Sequence, residues 1–196
     1  MDWLNLDDNR EIYREFMEAL EKQTPTKKAA AAASASASAE ATVCYTAESL
    51  PAKMSYSDVE TMAFHLTLQL NLLEARDCSL LFWQPSDVLV VNKKLYLLAN
   101  LLNLVPIMRK TNKIVLTYPA VFPFPQAACA PELLKIKALP FITHKSLSYY
   151  SLALLCLQKL NLSLEDLPSA LQGTKLFYFL ERCLKEEPCE RALIHL

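Results

Sequence analysis

Residues 130–160 read APELLKIKALPFITHKSLSYYSLALLCLQKL, and this stretch decides the fold. Its second half, residues 147–160, is apolar almost all round a helical wheel. A helix without a polar face belongs at the centre of a core. Ser148, Ser151 and Gln158 interrupt the run, and it falls short of the ~20 residues that span a bilayer. Just upstream, Pro119, Pro123, Pro125 and Pro131 predict a non-helical loop over residues 119–131.

Two further helices are expected downstream, over residues 163–171 and 174–186. Upstream, Ser57 and Glu60 suggest a capping box for a helix running to Ala75. Val59, Met62, Ala63, Leu66, Leu70 and Leu73 have helical spacing, and Leu68 and Leu72 widen the stripe, so this helix is buried on more than one side. Short β-prone runs at 87–91 and 94–98 flank a turn at Asn92-Lys93, and another lies at 113–118. The expected fold class is therefore mainly α, a helical domain over residues 54–196 with a small β-hairpin.

Residues 1–24 form the first zone, an N-terminal amphipathic helix over 8–22 with Ile12, Phe16, Met17 and Leu20 on one face. Asp7 and Asp8 suit the positive end of its dipole. A helix this short is marginal alone, so it must dock on its own domain or on a partner. Residues 25–53 read as a linker, because the Ala/Ser tract buries too little to offset its ordering entropy. Alanine also favours helix, which leaves a partial helix as the competing reading.

Composition excludes several functions. Gly173 is the only glycine in 196 residues, where average usage of about 7% would give roughly fourteen. Phosphate-cradling loops need glycine for close backbone approach, so neither GxGxxG nor GxxxxGK[ST] is possible here. The net charge of −1 gives no whole-chain footprint for nucleic acid or an anionic membrane. The acidic, polar opening residues do not predict a signal peptide. Cys44, Cys78, Cys129, Cys156, Cys183 and Cys189 show no CxxC or zinc spacing and read as reduced thiols. His65, His144 and His195 lie in no nucleophile or metal motif.

The order of elements resembles the C-terminal lobe of the protein kinase fold. Ala130-Pro131-Glu132 resembles the APE motif that closes an activation segment, and Ser148-Tyr149-Tyr150-Ser151-Leu152-Ala153 resembles the DxWSxG start of the central helix. Gln84-Pro85-Ser86-Asp87-Val88-Leu89-Val90 is similar to KPENILL at the end of a catalytic loop. Arg191 stands where a kinase's last helices supply an arginine to the APE glutamate. The resemblance covers residues 55–196 and implies a structural ion pair between Glu132 and Arg191, the alternative being two unrelated surface charges.

It also implies lost chemistry. HRD would fall at Leu80-Leu81-Phe82, so phenylalanine replaces the general base. The metal-binding Asn would fall at Asp87, and DFG near Ala99-Asn100-Leu101, with no aspartate for Mg²⁺. No glycine-rich loop or β3 lysine can be placed. The expectation is a pseudokinase: not an enzyme, with no cofactor, no nucleic acid and no membrane partner. Its role would be that of a protein-binding scaffold or structural module. The wording FPFP, APEL and YYSL further resembles proteins of large DNA viruses, which implies a virion- or capsid-associated structural component, a viral structural partner and a host-cytoplasmic or virion location. A serine/threonine kinase-related enzyme completed by a partner is the alternative. Candidate partner-binding residues are Ile12, Phe16 and Leu20 on the N-terminal helix and Tyr118, Phe122 and Phe124 in the proline loop.

Overall fold

Helix α1 (Tyr56–Ala75) starts where Ser55, in an extended conformation, accepts the Asp58 N–H through its side chain. The cap is thus two residues earlier than Ser57, whose carbonyl instead accepts the Thr61 hydroxyl. Val59, Met62, Ala63, Leu66, Leu70 and Leu73 are all buried. The structure is a computed structural model that describes Arg14 and residues 44–92, 94–99, 103–117 and 128–193. Arg14 is helical. Ile12, Phe16, Leu20, Tyr118, Phe122 and Phe124 lie outside the described residues.

The mainly α expectation is corrected. The fold is mixed α/β, with three small antiparallel sheets among the described residues. Strands β1 (Cys44–Thr46), β3 (Val88–Val91) and β4 (Leu95–Leu98) make one sheet in the order β1-β3-β4. Strands β2 (Cys78–Leu80) and β5 (Leu104–Pro106) make the second, and β6 (Lys113–Leu116) and β7 (Phe141–His144) the third. The sequence reading found only β3, β4 and β6. Strands β1, β2 and β5 are only three residues long, too short for period-two alternation to register, and distant partners complete their ladders.

One of those partners comes from the expected linker. Cys44, Tyr45 and Thr46 pair with Val91, Val90 and Leu89. Ala47 is fully buried, and Met54 N–H donates to the Lys159 carbonyl at 2.7 Å. Residues 44–53 therefore belong to the domain.

Helix α2 (Pro131–Leu134) is one turn that begins with proline at N1. Helix α3 (Leu147–Leu160) is buried on most sides, with Asn161 left-handed at its C-cap. Helices α4 (Leu167–Leu171) and α5 (Lys175–Cys183) close the chain's core, α5 burying Leu176, Phe179, Leu180 and Cys183. The main cluster joins α1, α3, α5 and Trp83. A second gathers Leu81, Phe82, Ile114, Leu116, Leu133 and Leu147, so the inner face of β6–β7 packs over the α2–α3 region. Among the described residues no helix is long and apolar enough to cross a membrane.

Candidate functional site

The structure brings Glu132 and Arg191 together. Arg191 Nη1 and Nη2 donate to Glu132 Oε1 and Oε2 at 2.6 and 2.9 Å, a bidentate pair. Arg191 Nε also donates to the Lys185 carbonyl, and Nη2 to the Glu186 carbonyl. The guanidinium sits 4.9 Å from the Tyr150 ring centroid, and its side chain is fully buried. Proline at the start of α2 presents Glu132 in the first turn, and a 3-10 turn over Pro188–Glu190 delivers Arg191. The arrangement satisfies a buried charge from four directions, so its chemistry is structural: it ties α2 to the end of the chain.

Next to it is a cluster the sequence reading missed. Lys145 Nζ and Tyr149 Oη both donate to the Glu74 carboxylate. Burial, reinforced by the Glu74 charge, holds the Tyr149 phenol well above its usual range. No local pattern signals this cluster, because Glu74 closes α1 and its partners lie beyond the third sheet. Tyr149 is therefore a core aromatic with a polar anchor.

His144 Nδ1 is 2.9 Å from Ser146 Oγ. That hydroxyl is fully buried and donates to the Pro188 carbonyl, so it is a brace and not a nucleophile. His65 is also buried, and its Nδ1 accepts the Tyr96 N–H at 3.4 Å. Burial lowers the pKa of both histidines, with the Lys145 charge adding to the effect at His144.

The unfolded chain thus binds more protons than the folded one as pH falls below the ordinary histidine value of about 6.5. Stability from these sites is present above that pH and is lost as pH falls through the folded values. Urea unfolding at pH 7 and pH 5 should show lower stability at pH 5. A His65→Asn variant, which keeps an acceptor but does not titrate, should show a shallower slope.

Over residues 80–83 the side chains are apolar and packed. Leu80, Leu81, Phe82 and Trp83 are all buried. The Asp87 carboxylate accepts the Gln84 N–H at 2.8 Å, closing its own turn. Asn100 and Leu101 lie outside the described residues. Among the described residues no group of three or more His, Cys, Asp or Glu side chains is placed to hold a metal ion. A cavity of about 550 Å³ opens between the Gln84–Ser86 turn and the C-terminal half of α3, with Glu48 and Lys159 on its walls. Lys159 Nζ donates to the Leu50 carbonyl at 3.4 Å.

Comparison with models of known protein families gives no match, and neither does comparison with curated proteins.

Proposed function

We propose that this chain is a non-catalytic, kinase-related module that binds protein, a scaffold or virion-associated component of the kind large DNA viruses carry. The observation that carries this reading is Phe82. By the resemblance it stands in place of the catalytic base, and it is buried in one cluster with Leu81, Ile114 and Leu147. A phenyl ring cannot take a proton from an attacking hydroxyl. The Glu132–Arg191 pair supports the kinase relationship, since the same two positions hold an ion pair in that fold. Six free thiols, three of them buried, support a reducing intracellular compartment, host cytoplasm or virion.

Thermal denaturation with ATP and Mg²⁺ or Mn²⁺ tests the reading. A ligand at a hundred times its dissociation constant stabilises by about 2.7 kcal/mol, which is several degrees for a domain of this size. The expected result is no shift. A saturable shift would establish a nucleotide site and overturn the non-catalytic assignment.

A further inference from the structure

The outer face of the β6–β7 ladder sets an exposed apolar pair beside Lys113 and His144, which the register puts on the same side. Val115 and Ile142 stand directly opposite each other and are 38% and 56% exposed. Met108 bridges to Lys113, which puts its half-exposed side chain on the same face. Leu139, just before β7, is exposed as well.

The segment that forms this face is basic, although Arg109, Lys135 and Lys145 pair with Asp77, Glu186 and Glu74. Residues 103–145 contain six lysines and arginines and a single acidic residue, Glu132, which Arg191 already holds. Arg109 pairs with Asp77, and Lys110, Lys113 and Lys137 are exposed. A surface of this kind fits an amphipathic segment with an apolar stripe and an acidic border.

This chain carries such a segment. Residues 1–24 hold seven acidic side chains against three basic ones, and Ile12, Phe16, Met17 and Leu20 make the stripe, with Glu11, Glu15 and Glu18 interleaved. Residues 25–43 connect it to β1. Those 19 residues reach at most about 65 Å when fully extended. A domain of about 150 residues has a radius of gyration near 15 Å, so every part of its surface is within reach. A tether of this length supplies a local concentration of order millimolar, which favours the chain's own segment over a second copy in dilute solution.

We infer that the acidic N-terminal segment, residues 1–24, docks in cis on the Met108–Val115–Ile142 face of the β6–β7 ladder, with Lys113 on that face and Lys110 and Lys137 beside it. None of these residues belongs to the motifs that carry the kinase resemblance. A partner that engages either the segment or the face competes with this contact, so the two surfaces are exposed together.

The test uses the full chain with a photo-cross-linking amino acid at Ile142, irradiated at low micromolar concentration and mapped by mass spectrometry. The expected product is a monomer cross-linked to a peptide from residues 1–24. Its yield should fall at least about fivefold in Lys110→Glu/Lys113→Glu, two surface charge contacts being reversed. Adding Glu15→Lys/Glu18→Lys should restore it. The same fall on raising salt in the chain with its native charges gives a second reading that needs no charge variant to fold. Cross-linked dimers would mean that a second copy occupies the face and would overturn docking in cis. Cross-links elsewhere, none at all, or a yield indifferent to charge would overturn it equally.

Discussion

Arg191→Ala should destabilise the protein by about 3–5 kcal/mol, the cost of leaving one partner of a buried pair alone. The variant strands the Glu132 carboxylate, which is mostly buried. It also frees the Lys185 and Glu186 carbonyls that the guanidinium satisfies. Glu132→Ala should cost a similar amount, because a fully buried guanidinium would lose its counter-charge. For a domain of this size the loss corresponds to a fall in Tm on the order of 10 °C. Urea unfolding of both single variants and of Glu132→Leu/Arg191→Met gives the measurement. The double variant should lie closer to the parent than either single, since no charge is then buried unpaired. Single variants that cost under about 1 kcal/mol would place the pair with ordinary surface salt bridges and end its role as the tie between α2 and the chain's last turn.

Phe82→Asp should be at least as damaging, and it should restore no phosphoryl transfer. Replacing a buried phenylalanine by a small side chain costs about 3–5 kcal/mol in lost packing. Here the replacement also puts a carboxylate among Leu81, Ile114 and Leu147, where its charged form is disfavoured. Whole domains are stable by only about 5–15 kcal/mol, so the variant is expected to be largely unfolded or molten at pH 7. Burial would raise the folded pKa of the new carboxyl above its ordinary value of about 3.9. Its neutral form is then the one the fold tolerates, so the damage is least at low pH and grows as pH rises through the folded value. Phe82→Leu, which keeps most of the apolar volume, should cost much less. Circular dichroism across pH, with an ATP turnover assay, separates the outcomes. A Phe82→Asp protein as stable as its parent and active on ATP would show that the site had kept its catalytic surroundings, and the proposed function would fall.

The residues that could be read correctly share one property: their signal is local. The 147–160 run is apolar on all sides, and α3 occupies the same residues. The long helix ends at Ala75 as its stripe of Leu66, Leu70 and Leu73 indicates. Where the signal was local but ambiguous, small errors followed. Ser55 and Ser57 both precede acidic residues, and only the backbone of Ser55 decided which one caps α1.

The larger error had another cause. Cys44–Thr46, Cys78–Leu80 and Leu104–Pro106 carry too few residues to show a strand period, and each becomes a strand only because a partner elsewhere in the chain supplies its hydrogen bonds. The same reason hid the Glu74–Lys145–Tyr149 cluster, whose members are dispersed along the chain. It hid the Met108–Val115–Ile142 face too, since a register of Val115 opposite Ile142 cannot be read from either strand alone.

By itself, then, the sequence determined which helices form a core and that no glycine-built phosphate loop is possible. Tertiary structure alone decided the pairings of β1, β2, β5 and β7, the inclusion of residues 44–53 in the domain, and which charged and apolar side chains meet. Helix periodicity and missing glycines are properties of neighbouring residues. Short strands and buried ion pairs exist only once distant segments have been brought close enough to exchange water for each other.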